Sequence, residues 1–105
     1  MKATAVGGWS NRSLLVLTSL AGGAKHGYAL IQDIQEFADV KLGPGTLYGC
    51  LSTLERAGLV AALPAEDRRH PYQITPQGLA VLEAALAESA RLAAVGLRRI
   101  ASALP

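Results

Sequence analysis

One cysteine, Cys50, in 105 residues excludes an internal disulfide framework and points to a reducing, intracellular compartment. Long apolar runs are missing too. LLVLTSL at 14–20 is too short to cross a bilayer, and the opening MKATAVGGWSNRS lacks the apolar stretch of a signal peptide, so a cytoplasmic protein with no membrane partner is expected. No segment repeats, and the only biased stretch is the Ala-rich tail from Leu79, whose composition favours helix over disorder. Catalytic sets are equally lacking. No Ser/His/Asp or Cys/His group falls in a recognisable motif, His26 and His70 have no metal-ligand spacing, and GGAKHG at 22–27 lacks the order of a phosphate-binding P-loop. Neither an enzyme nor a metal or cofactor carrier is expected.

What is there suffices for one small domain. Half the residues are apolar, enough to bury a core without disulfides or metal. A net charge of +2 permits an acidic partner such as nucleic acid without demanding one. Ser10 can cap a first helix reaching Ala21, with Leu14, Leu15, Leu17 and Leu20 at helical spacing and Gly22-Gly23 ending it. A second helix, Gly27 to Ala38, places Leu30, Ile31, Ile34 and Phe37 on one stripe. Pro44 opens a third at a position where its missing N–H is tolerated. LVAALP and YQIT read as strands joined by the charged turn AEDRRHP, and Thr75 with Pro76 opens a last helix that continues to about Leu104, roughly 40 Å at 1.5 Å per residue.

The third helix, within LGPGTLYGCLSTLERAGLV at 42–60, keeps Leu47, Leu51 and Leu54 on one side and turns Gly45, Gly49, Ser52, Thr53 and Arg56 outward, with Tyr48 on the flank. An ordinary surface helix would carry Lys and Glu there. In a helix-turn-helix, the second helix of the pair lies in the DNA major groove and must be slim there for its backbone to approach the bases. The order of elements therefore predicts a mainly α (α+β) fold: a winged helix-turn-helix over 1–75, with a two-stranded β wing, followed by a long C-terminal helix over 76–105 in the same compact unit.

The candidate DNA contacts follow from this placement. The uncapped start Gly43-Pro44-Gly45-Thr46 offers amides and a positive dipole end to a phosphate, although Pro-Gly could simply make the turn. Tyr28 and Tyr48 can bond phosphate oxygens or be half-buried core residues. Arg68, Arg69 and His70 at the hairpin tip suit phosphate or a narrow minor groove, against the alternative of pairing with Glu66 and Asp67. Lys25, Lys41 and Arg56 are weaker additions. Cys50 reads as a packing residue more readily than as an oxidant sensor.

In the last helix Leu79, Leu86, Ala93 and Ile100 recur every seven residues with Leu82, Ser89 and Gly96 three further on, while Val81, Leu92 and Val95 form a second stripe. One side can serve the domain, and the other needs a partner. Leu79, Leu82, Leu86, Ala93, Leu97 and Ile100 are accordingly expected in a homodimer interface that presents two recognition helices to an inverted-repeat operator in double-stranded DNA.

The residues also resemble a known family, the PadR-like transcriptional regulators. The likeness is carried by HGYALI at 26–31, LGPGTLYG at 42–49, LERAGLV at 54–60 and RRHPYQITPQG at 68–78, and covers about 26–78. The single C-terminal helix is similar to the short-tailed branch. The resemblance implies a dimeric repressor that answers to a small aromatic or cationic compound, with Trp9 near the dimer surface as a candidate wall of a ligand pocket or as a packing anchor. The chain departs from the family at 50–53, where relatives often carry Lys or Arg. Base readout by a bidentate Arg is thereby removed from that turn and left to Ser52, Thr53, Arg56 and DNA shape. Two other classes remain open: a protein-interaction module using the neutral helix 45–56, and a small-molecule carrier.

Overall fold

The computed structural model describes residues 8–105; the leader reading depends partly on 1–7, which lie outside them. Helix α1, Asn11–Ala21, starts at Ser10, whose hydroxyl accepts the Ser13 amide at 3.2 Å. Leu14, Val16, Leu17 and Leu20 from this helix form the centre of the core. The helix ends at Gly22, and Gly23 follows at φ 139°, a state that side chains rarely allow.

Helix α2, Gly27–Ala38, buries Leu30 and Ile34 completely, with Ile31 packed at the margin. Phe37, expected on the same stripe, is 47% exposed instead. The buried residues of α2 all lie in its first two turns, so the stripe runs past the end of the packed region. Helix α3, Pro44–Arg56, begins from Gly43 with Pro44 in its first turn and no side-chain cap, and its inner side is Leu47, Leu51 and Leu54, as the spacing predicts. Helix α1 packs against both α2 and α3.

Two short strands follow. β1, Val60–Ala62, pairs antiparallel with β2, Tyr72–Ile74, in the register Val60↔Ile74, Ala61↔Gln73 and Ala62↔Tyr72. The strands are shorter than the sequence pattern suggests. Lys25 adds a one-residue rung on the far side of β2, exchanging backbone hydrogen bonds with Tyr72 at 2.8 and 3.1 Å. At the wing tip Glu66 and Arg69 exchange backbone bonds at 2.7 and 2.9 Å around Asp67 and Arg68, both with positive φ (49° and 68°), as in a tight two-residue hairpin turn.

Helix α4, Pro76–Ala103, is tied to the wing base by Thr75. The Thr75 hydroxyl accepts the Gly78 amide at 3.0 Å and donates to the Gly58 carbonyl at 2.7 Å, while its own amide reaches the Leu59 carbonyl at 3.0 Å. Gly58 turns there at φ 79°. This knot brings α4 so close that a Cβ on Gly78 would overlap the Leu59 carbonyl oxygen and lie 2.7 Å from Ile74 Cγ1. Backbone cannot rotate aside. Gly78→Ala is therefore expected to lower the unfolding free energy by about 2 kcal/mol despite the better helix propensity of Ala. Denaturant titration at fixed protein concentration checks this, and an unchanged midpoint would refute the close approach.

The core takes Leu82 and Ala85 from α4, and no α4 residue beyond Ala85 is buried. At 1.5 Å per residue the last 18 residues of the helix extend about 27 Å past the packed region, in keeping with principal extents of 59 × 26 × 25 Å. The architecture is mainly helical with a two-stranded wing and a long C-terminal helix, the winged helix-turn-helix that the order of elements predicts.

Candidate nucleic-acid interface

The outward side of α3 is smooth because its residues are small. Gly45, Thr46, Gly49, Ser52, Thr53 and Arg56 are all exposed. Nothing lies within 4 Å of where a Cβ would stand on Gly43, Gly45 or Gly49, so the helix backbone is open to an approaching surface. Thr53 Oγ1 donates to the Gly49 carbonyl at 3.2 Å, and Arg56 Nη2 donates to Thr53 Oγ1 at 3.5 Å. Between Pro44 and Leu54 there is no carboxylate, ammonium or guanidinium. Such a strip is complementary to a groove floor whose edges supply donors and acceptors.

Tyr48 stands at the junction of α3 with α2. Its phenol lies over Gly27, where a Cβ would overlap the hydroxyl oxygen and sit 2.7 Å from Cζ. Glycine at the start of α2 thus lets the two helices seat Tyr48, which stays 48% exposed at the edge of the smooth strip. Tyr28 is exposed, and its hydroxyl accepts a hydrogen bond from Gln32 Nε2 at 3.2 Å. The two phenols, with Tyr72, His26, Arg68, Arg69 and His70, line a cleft of about 270 Å³ between the helices and the wing. Burial, then the carboxylate of Glu55, then Tyr48 push the Tyr72 phenol up from its ordinary value, so it remains a neutral hydrogen-bond donor. His26 Nδ1 is buried at the cleft without a partner among the described residues.

The wing brings cations to the same side. Among the described residues the one ion pair is Lys25 with Asp33 at 4.0 Å, so the guanidinium groups of Arg68 and Arg69 are not paired with the carboxylates of Glu66 or Asp67. His70 Nδ1 lies 2.9 Å from the Leu63 carbonyl and, as its donor, braces the wing. Lys25 serves structure rather than contact: its ammonium donates to the Ser19 carbonyl and, at 3.2 Å, to that of Gly23, at the end of α1 where a cation is favoured by the helix dipole. Sequence reasoning missed Arg12. This residue, in the first turn of α1, borders a groove of about 360 Å³ with Gly45, Thr46, Gly49 and Thr53, and no periodic signal connects positions so far apart in sequence.

The remaining candidates lie elsewhere. Cys50 is partly buried with Sγ 3.6 Å from Ser13 Oγ and packs against the core. Trp9 is half-buried against the same core. Leu79, Leu86, Ala93, Leu97 and Ile100 are exposed along α4, but Leu82 is 5% exposed and belongs to the chain's own core. The seven-residue pattern groups Leu82 with the outer leucines, whereas a 100° step per residue places it about 60° from Leu79, towards Gly78 and Ala85.

Comparison with known proteins gives the fold and the family. The model of the transcriptional regulator PadR-like family matches residues 16–84. A PadR family transcription regulator from Clostridium difficile superposes with a TM-score of 0.78 at 21% identity, covering 87% of this chain and 99% of that one. A transcriptional regulator from Thermoplasma acidophilum gives 0.70 at 23% identity, covering 90% and 92%. An uncharacterised 37.1 kDa protein of a transposon from Streptomyces fradiae is 41% identical over 83 residues, which are 79% of this chain but 24% of the relative, so the chain spans about a quarter of that protein's length. Proteins of the matching family are non-enzymatic DNA-binding regulators of transcription. The family match spans both the smooth helix α3 and the arginine-tipped wing, and the chain belongs to the transcriptional regulator PadR-like family.

Proposed function

We propose that the protein is a homodimeric, sequence-specific repressor that occludes an inverted-repeat operator. The observation that carries the reading is the open outer face of α3, flanked by Tyr48 on one side and Arg56 at its end. Gly45, Thr46, Gly49, Ser52 and Thr53 enter the major groove. The uncapped first turn of α3, Tyr28 and Tyr48 hold phosphates, and Arg68, Arg69 and His70 on the wing reach the flanking backbone or minor groove. Two copies joined through α4 present two such faces. A small aromatic or cationic compound near Trp9 relieves repression by rotating the α4 helices and changing the separation of the recognition helices. Equal separations with and without inducer would remove that last step.

The test is selection of bound duplexes from a random pool, followed by anisotropy titration at two salt concentrations. An enriched inverted repeat is expected, with Arg69→Ala binding about tenfold more weakly and showing a shallower salt dependence. No enriched site, together with salt-insensitive capture of a protein partner, would identify an interaction module instead.

A further inference from the structure

We infer that Arg12, on α1, supplies the base-reading cation that α3 itself lacks, its guanidinium entering the same major groove to take the acceptor edge of a guanine. The inference rests on the reading of α3 as the recognition helix. Outward on that helix the first long cationic side chain is Arg56, in the last turn, and everything before it is too short to span to a base edge unless the backbone comes very close. Arg12 lies across the groove from that gap, with Gly45, Thr46, Gly49 and Thr53 on the opposite wall. Among the described residues nothing lies within 4 Å of where a Cβ would stand on Gly45 or Gly49, which leaves room in front of α3 for an extended guanidinium.

Two features argue against an ordinary surface arginine. Arg12 sits in the first turn of α1, where a positive charge opposes the helix dipole and where no acidic residue offsets it. It is exposed and forms neither an ion pair nor a hydrogen bond among the described residues. A side chain kept where it disfavours its own helix and bonded to nothing in the free protein is explained by what it meets in the complex. Its neighbour across a second, larger groove is Lys41, beside the start of α3. That lysine suits the phosphate adjoining the base, whereas the forked guanidinium matches the paired acceptors O6 and N7 of guanine.

The experiment compares wild type with Arg12→Gln and Arg12→Lys on the selected operator, on variants with each half-site base pair replaced symmetrically, and on scrambled duplex. Arg12→Gln is expected to melt no lower than wild type, to lose at least tenfold in operator affinity, and to become indifferent to one symmetric G·C position while binding scrambled duplex as wild type does. Arg12→Lys restores charge but not that preference. Equal losses on operator and scrambled DNA, recovered by Lys, would make Arg12 a phosphate contact and overturn base readout. An unchanged base profile in Arg12→Gln, with a wild type that does select an operator, would overturn the assignment alone. A wild type with no preferred sequence would remove the recognition-helix reading and this inference with it.

Discussion

Aspartate at both Leu86 and Leu97 is expected to leave the protein monomeric at micromolar concentration and to weaken operator binding about 100-fold or more, because tethering two half-site binders is worth a factor of about 10² to 10⁴. The two leucines are 46% and 67% exposed on a helix whose last 18 residues include none that is buried by the described residues. Stepping 100° per residue, Leu79, Leu86, Leu97 and Leu104 fall within about 20° of one another, with Ala93 and Ile100 on one flank. An unpaired helical extension of that length is marginal in water, and most helical stability in proteins comes from packing an apolar side. A second copy would provide that packing, with the small Ala93, Ala94 and Gly96 leaving room for two backbones to approach. Light scattering gives the mass and circular dichroism the helix content, which should fall as the freed end frays. A dimer that survives both aspartates would place the interface on the opposite flank, at Leu92 and Val95.

The same helix shows how far sequence alone reaches. Its start was legible in Thr75-Pro76, because a cap and an N-terminal proline are local chemistry, and its two apolar sides were legible in their spacing. Which side belonged to the domain was not, since a seven-residue pattern and a straight 3.6-residue helix diverge by about 20° per heptad, and Leu82 falls between the two. The start of α3 at Pro44 and its inner leucines were read correctly for a similar reason: one tight stripe of leucines leaves a single way to seat it.

The misread or unseen features are those settled by tertiary placement. Phe37 has the right spacing for the core, but the core ends before it. Lys25 looks like a free cation until the end of α1 and Asp33 surround it. The Lys25 rung on β2 is one residue long and leaves no pattern. Gly27 looks like a turn residue, yet its use is to let Tyr48 lie across α2. The last two cases join segments many residues apart, and of them only the glycine left a mark, in the motif HGY.

Gly49 separates the DNA reading from its rivals most directly, because stability and binding should move in opposite directions there. Among the described residues nothing lies within 4 Å of a Cβ at this position, so Gly49→Ala meets no obstruction from them in the free protein. It should stabilise the fold by about 0.8–1 kcal/mol through helix propensity alone, a rise in melting temperature of about 4–8 °C for a domain of this size. In the proposed operator complex the same methyl would occupy the space through which α3 approaches the base edges, and an affinity loss of about tenfold is expected, comparable to losing one good base contact. Gly49→Glu adds a carboxylate facing phosphates and should cost about 100-fold or more at low salt, a penalty that eases as added salt screens the repulsion. If both variants melt higher yet bind the operator as wild type does, α3 does not face the DNA through Gly49. If both melt higher and fail only to bind a protein partner, the smooth strip is a protein-docking surface.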